Sequence, residues 1–297
     1  MPGIPFIKDF KFDYGTAMEV TPLIRRVVAN NPSPFTFKGT GTYIVGHGNV
    51  AVVDPGPDDP THIDAVLRAL RGETVTHILV THTHIDHVPA TPVLAKATGA
   101  KVYSYGPHPT PQGVTTEQDG DFSFAPDIKL NDGDVIQGDG WNVEAVHTPG
   151  HISNHLCFAV KEDKALLSGD HVMGWSTAVI SPPDGNMADY FASLRKLLPR
   201  HEELYIPTHG AEIRDPVPFV NAYIEHRLAR EAQIIARLQD GPQTIPQMVA
   251  KNYADVPVHL HPAAGRSMLA HLVQMVKDGR VRTEDGRAAI DSTYRLW

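Results

Sequence analysis

The sequence predicts an α/β sheet sandwich followed by a small winged-helix-like α+β module. Three observations carry this expectation. Up to about residue 210, short apolar strands alternate with helical stretches, punctuated by Gly and Pro. Several of those strands run straight into a His or Asp beside tight-turn residues. After Ala211 the pattern changes to long helical periodicity and closes on a hairpin. Composition shifts at the same place: residues 1–210 carry 15 Lys and Arg against 24 Asp and Glu, and residues 211–297 carry 11 against 10. A boundary is therefore expected between 211 and 218, giving units 1–213 and 214–297.

Taken in order, Thr42–Val45 and Val50–Val53 flank Gly46-His47-Gly48-Asn49 as a hairpin, and Asp54-Pro55-Gly56-Pro57 stops its second strand. Thr61–Leu70 is helical, with Ile63, Val66, Leu67 and Leu70 on one face. Val75–Val80 is a short buried strand. Val93–Thr98 is a helix ended by Gly99, and Lys101–Ser104 a strand. Asp121–Leu130 and Trp141–Val146 are expected as strands around an Asn131-Asp132-Gly133 turn. Leu156–Val160 and Ala165–Ser168 form a hairpin across Glu162-Asp163. Asn186–Leu198 is a helix, with Asn186 and Asp189 at capping-box spacing. In the tail, Val217, Val220, Ile224, Leu228, Ile235 and Leu238 mark one face of a long helix. Helices Thr244–Asn252 and Pro262–Lys277 and a hairpin over Val281–Leu296 complete the winged-helix-like pattern.

The bulk properties exclude several classes. With 41% hydrophobic and 20% charged residues, the 297-residue chain can build a real core. No stretch approaches the roughly 18–20 apolar residues of a membrane span. Met1 to Phe12 lacks the basic-then-apolar pattern of a secretory signal, so a cytoplasmic protein without membrane contact is expected. Cys157 is the sole cysteine, so an intrachain disulfide and a thiolate cluster are both impossible. A net charge of −8 argues against a chain-wide nucleic-acid footprint.

Chemistry concentrates in Thr81-His82-Thr83-His84-Ile85-Asp86-His87, at the end of an apolar strand. In extended backbone His82 and His84 point to one side. As the chain turns onward, Asp86 and His87 can face a second point, so one loop can serve two metals. Zinc takes about four nitrogen or oxygen ligands, so more are needed. His151 follows the 141–146 strand, Asp170 the 165–167 strand, and His209 the 204–206 strand, each beside a Gly that lets backbone approach closely. Other histidines carry weaker signals. His47, His62, His77, His108, His201 and His226 fit exposed loops or helix faces. His147 reads as structural, His155 as a surface or structural residue or a polar contact to substrate, and His171 as chance. Trp175, with the loop 181–185, either walls a pocket or packs in the core.

With these residues in this order, the chain resembles the metallo-β-lactamase superfamily over about residues 40 to 210. The resemblance implies an αββα metallo-β-lactamase sandwich. It also implies that His82, His84 and His151 hold one metal, that Asp86, His87 and His209 hold another, and that Asp170 bridges them. Asp54 matches the family's early aspartate, which orients the metal loop from behind. The implied cofactor is two divalent ions per chain, zinc, with iron and manganese accepted by the same ligand types. The implied reaction is hydrolysis by a hydroxide bridging the metals, with Asp86 orienting it or shuttling its proton as the catalytic residue. His84, where the oxygen-reducing diiron branch has Glu, speaks against that branch.

The tail is similar in layout to the beta-lactamase-like protein 2 group, whose best-known member is an endoribonuclease on single-stranded RNA. Where that group commonly has Gly-Gly after the metal motif, this chain has Val88-Pro89-Ala90. Three functions are therefore weighed: a hydrolase of a small thioester, ester or lactone, like the glyoxalase II branch; an endoribonuclease using the tail to bind RNA; and a nucleic-acid-binding protein with a vestigial metal site. The intact ligand set weighs against the third. A tail of net +1 attracts RNA only weakly. The small-molecule reading is therefore preferred, with a homodimer through the C-terminal module as a further expectation.

Overall fold

The computed structural model describes residues 3–109, 120–254 and 257–297. Strands β1 (Met18–Glu19), β2 (Ile24–Val28), β3 (Gly41–Val45) and β4 (Asn49–Val53) pair antiparallel in turn. The chain crosses through α1 (Pro60–Ala69) to β5 (Thr74–Leu79), and through α2 (Thr91–Thr98) to β6 (Lys101–Ser104). Both crossovers give parallel pairs, as helix-covered connections do. Strand β7 (Ile128–Lys129) closes the edge of this seven-stranded sheet.

The second sheet starts with an antiparallel meander of β8 (Val135–Gln137), β9 (Asn142–His147), β10 (Leu156–Val160) and β11 (Ala165–Gly169). Helix α3 (Met187–Leu197) leads to β12 (Leu204–Pro207), parallel to β11, and β13 (Ile213–Arg214) ends the six-stranded sheet. Local chemistry sets the helix ends. Asp59 accepts from Thr61 N at 2.9 Å ahead of Pro60, Gly99 closes α2 at φ 74°, and Asn186 accepts from Ala188 N and Asp189 N.

Between the sheets, Val45, Val53 and Leu79 pack with Trp141, Val143, Phe158, Leu167 and Ile206. The buried Trp141 satisfies its indole by donating to Asn49 O at 3.0 Å. Helices α1 and α2 cover the outer face of the first sheet through Val66, Leu70 and Leu94. Helix α3 and the start of α4 (Pro216–Gln239) cover the second through Tyr190, Leu194, Phe219 and Tyr223. The layers thus run helix, sheet, sheet, helix.

Helix α4 continues into a separate core, where Ile234 and Leu238 meet Met248, Leu272, Met275 and Tyr294. That core is built from β14 (Gln243–Thr244), α5 (Ile245–Asn252), α6 (His261–Lys277), β15 (Val281–Arg282) and β16 (Thr293–Leu296), the strands ordered β14-β16-β15. Thr244 and Gln247 form a capping box at the start of α5. Among the described residues, no helix is long and apolar enough to cross a membrane.

Three expectations are corrected. The strand over 121–130 shrinks to β7, because Asp121 Oδ1 accepts from Ser123 N and Ser123 Oγ and turns the chain locally. Strands β1 and β2 had no counterpart in the sequence reading. On α4, Val217 and Leu228 are exposed, and the buried stripe runs through Phe219, Tyr223, Arg227, Glu231 and Ile234.

Candidate metal centre

The site lies where β5, β9, β11 and β12 end on one side of the sandwich. Behind it stands Asp54, held at φ 50° just after β4 and only 1% exposed. Because β4 and β5 run parallel, its carboxylate meets the start of the histidine loop. Oδ1 accepts from Thr81 N at 2.7 Å, and Oδ2 accepts from Thr81 Oγ1 at 2.7 Å and from His87 Nδ1 at 2.9 Å. His87 therefore carries a proton at its back nitrogen and turns Nε2 forward.

The same device recurs on two other rings. His151 Nδ1 donates to Val179 O at 2.5 Å and His209 Nδ1 donates to Gly39 O at 3.2 Å, so both present Nε2 to the site. Ligand atoms gather in three groups, each within 4.8 Å: His82 with His84 and His151; His82 with His87 and Asp170; and Asp86 with His87 and His209. In the first, His84 Nδ1 lies 2.9 Å from His82 Nε2 and 3.1 Å from His151 Nε2. Asp170 reaches all sides: its Oδ2 is 3.8 Å from both His87 Nε2 and His151 Nε2, and its Oδ1 is 3.4 Å from His209 Nε2. Asp86 Oδ2 is 3.3 Å from His87 Nε2 and 3.2 Å from His209 Nε2, and accepts from Thr40 Oγ1 at 3.1 Å. All seven residues expected as ligands converge.

These residues fit a cation. His87 Nε2, His209 Nε2 and Asp170 Oδ1 are buried without hydrogen bonds, each at a cost of about 1–3 kcal/mol, and they face one another. Burial pushes His82 and His84 well below the usual imidazole range, with neighbouring imidazoles adding to the shift. Burial acts the same way on His209, but Asp170 and Asp86 outweigh it and raise the group to about 10. His87 is likewise raised against burial by Asp86, Asp170 and Asp54. Those imidazolium charges in turn overcome burial at Asp86 and Asp170 and hold both well below the usual carboxylate range. The carboxylates thus demand positive charge at this point, and a divalent ion would supply it through the same atoms.

Several histidines depart from expectation. His155 is fully buried; its Nε2 accepts from Asp170 N at 3.1 Å and its Nδ1 faces Thr148 Oγ1 at 2.8 Å. It braces the backbone of Asp170, a structural role. His62 is buried rather than exposed, because Gly56 at φ 97° leaves room for the ring that bonds Thr42 Oγ1. His108, half-buried, faces Thr83 Oγ1 at 2.8 Å beside the metal loop. No sequence signal marked it, since its partner is 25 residues away. His77 and His226 are also half-buried, and His47 and His201 are exposed as expected. His171 lies against the Tyr190 ring, and His147 Nε2 donates to Ser153 O at 2.9 Å as a structural residue. Trp175 is half-buried and stacks on Phe37 with centroids 4.8 Å apart.

Comparison with known proteins agrees with this geometry. Residues 36–209 match the Metallo-beta-lactamase superfamily, and residues 244–289 match the Beta-lactamase associated winged helix domain. A beta-lactamase-like protein 2 homolog from Drosophila melanogaster is 32% identical over 274 residues, covering 89% of this chain and 91% of that protein. An atrochrysone carboxyl ACP thioesterase from a Cryptosporiopsis species is 28% identical over 254 residues, covering 80% of this chain and 74% of the relative. Among solved structures, a beta-lactamase domain protein from Burkholderia ambifaria superposes with a TM-score of 0.78 at 20% identity, covering 98% of this chain and 96% of that one. A metallo-beta-lactamase family protein from Thermus thermophilus gives 0.74 at 22% identity, covering 94% and 100%. From its motifs, its layers and these matches together, the chain belongs to the metallo-β-lactamase superfamily and carries that family's associated winged helix domain.

Proposed function

We propose that this protein is a dinuclear metal-dependent hydrolase, loaded with zinc, acting on a small thioester, ester or lactone. The observation that carries the reading is the convergence on one point of His87 Nε2, His209 Nε2 and Asp170 Oδ1, all buried and without hydrogen bonds. His82, His84 and His151 would hold one ion, Asp86, His87 and His209 the second, and Asp170 both. Bound divalent ions supply a water that ionises near neutral pH and a Lewis acid for the electrophilic oxygen. The remaining work falls to this chain's side chains. Asp86 is the one member of the seven that is not fully buried, so it is suited to take a proton from the attacking water at its carboxylate. Asp54, Val179 O and Gly39 O keep three imidazole protons on the far side of the rings. A thioester is favoured within the substrate class because the Cryptosporiopsis relative is described as a thioesterase. In the same proposal, residues 1–213 form the catalytic unit and 214–297 the winged-helix-like unit.

The test is a panel of acylglutathione, lactone and labelled single-stranded RNA, each with and without chelator, on parent protein and His84→Ala. Thioester or lactone turnover that chelation abolishes and zinc restores supports the proposal. RNA cleavage alone overturns the substrate class, and a purified chain that binds no divalent metal overturns the whole reading.

A further inference from the structure

Arg227 is an unusual residue for the inner face of a helix. It is 2% exposed, and among the described residues it forms no ion pair. Its Nη2 instead donates to Ala178 O at 2.5 Å, and its guanidinium lies over the Tyr190 ring, 5.3 Å from the centroid. One turn earlier on α4, Tyr223 Oη accepts from Met173 N at 3.2 Å and lies against the carbonyls of Met173 and Ser176. From α3, Tyr190 Oη donates to His171 O at 2.9 Å. The segment 171–178, which follows Asp170 and has no helix or strand of its own, is thus pinned by side chains from two helices. The next carbonyl along, that of Val179, is the one that accepts from His151 Nδ1.

We propose that Arg227 and Tyr223 are positioning residues for the metal centre: by fixing backbone 173–178 they aim Val179 O, which sets the tautomer and direction of His151. The inference rests on the metal-binding reading above. Burying a guanidinium is costly, and an apolar side chain would fill this space with less penalty if packing were its purpose. A donor to the Ala178 carbonyl is what the segment requires, and the long cationic side chain of Arg227 brings one to it. Long-range support of this kind extends the usual pattern in which a metal-binding imidazole is oriented through its other nitrogen. It also links helix α4, which enters the C-terminal core, to one of the ligands.

The experiment titrates zinc into metal-stripped parent, Arg227→Met, Arg227→Lys and Tyr223→Phe against a chromophoric chelator. His84→Ala marks the binding step that belongs to the His82/His84/His151 group. Arg227→Met and Tyr223→Phe are expected to weaken that step by about 10-fold or more and leave the other step unchanged. Arg227→Lys, which keeps a cationic donor, recovers most of the loss. Zinc affinities within about two-fold of the parent in a folded variant overturn the proposal, and so does a lowered melting temperature with unchanged affinity, which is the mark of a merely structural role. If Arg227→Met does not fold, Tyr223→Phe, which removes a single hydroxyl, decides alone. A parent chain that takes up no zinc defeats the metal reading and this inference with it. A parent that binds zinc no better than its variants defeats this inference alone.

Discussion

Replacing Asp54 by asparagine changes one atom behind the metal centre and keeps the shape of the side chain. Asparagine also tolerates the left-handed φ of 50° at this position, so the backbone need not move. The oxygen that accepts from Thr81 N can stay, which leaves an amide nitrogen where Oδ2 had accepted from Thr81 Oγ1 and His87 Nδ1. The threonine hydroxyl can turn and accept from that amide. His87 can accept only by moving its proton to Nε2, the nitrogen that faces Asp86 and Asp170. A ring that offered a lone pair then offers a proton. The lost interaction is a hydrogen bond to a charged group, about 1.5–3 kcal/mol, which corresponds to about 10- to 100-fold weaker zinc binding. Asp54→Ala goes further and strands two buried donors, Thr81 N–H and His87 Nδ1–H, at about 1–3 kcal/mol each. Chelator competition measures the first variant and urea unfolding the second. Parent-like zinc affinity in Asp54→Asn, together with a parent-like urea midpoint in Asp54→Ala, would refute the assignment of Asp54 as the residue that sets this ring.

Other perturbations test the surrounding scaffold. Gly150→Ala brings a Cβ to 2.4 Å from Tyr190 Cα, at a residue with φ 137°, so α3 must shift. A loss of about 3 kcal/mol or more is expected in urea unfolding, with zinc binding weakened too because His151 is the next residue. Trp141→Ala empties the space between the sheets and should lower stability by about 3–5 kcal/mol in the same assay. Burial pushes the Cys157 thiol up to about 12, so a thiol reagent at about pH 8 should leave the folded chain unmodified and react fully once it is denatured. Stripping metal should lower the melting temperature, by about 2.7 kcal/mol of stability when free zinc stands at about 100 times its dissociation constant. An unchanged melting curve on adding chelator would count against bound metal.

The ligands were legible because His151, Asp170 and His209 each stand beside a glycine where an apolar run stops, and the other four crowd into one loop directly after such a run, a one-dimensional signal. What the residues alone could not give is the convergence of those ends, which depends on how the two sheets bring the end of β5 beside the ends of β9, β11 and β12. Asp54 was visible only through the family's pattern, since its partners Thr81 and His87 lie 27 and 33 residues on. His155 was missed for the same reason: its role is to accept from the backbone of Asp170, and a backbone donor leaves no residue type to search for. Strand β2 escaped because Arg25 and Arg26 interrupt its apolar run. Arg26 is nevertheless 4% exposed and paired with Glu212 at 2.8 Å, a contact across most of the chain. On α4, apolar periodicity misplaced the buried stripe because two of its members are charged. Arg227 Nη2 donates to the Ala178 carbonyl, and Glu231 Oε2 accepts from Arg280 at 2.7 Å while its Oε1 faces His271 at 3.5 Å.

Helix α4 has a practical bearing on how this protein can be taken apart. Its first half contributes Phe219, Val220 and Tyr223 to the covering of the second sheet, and its second half contributes Ile234 and Leu238 to the tail. A fragment trimmed at 213 would keep α3 but lose the part of the cover that α4 supplies, leaving an oily strip facing water, a recipe for clumping. One trimmed after residue 240 would keep the strip covered and bare only the far end of the helix. Tail swaps between relatives would need to carry half a helix with them.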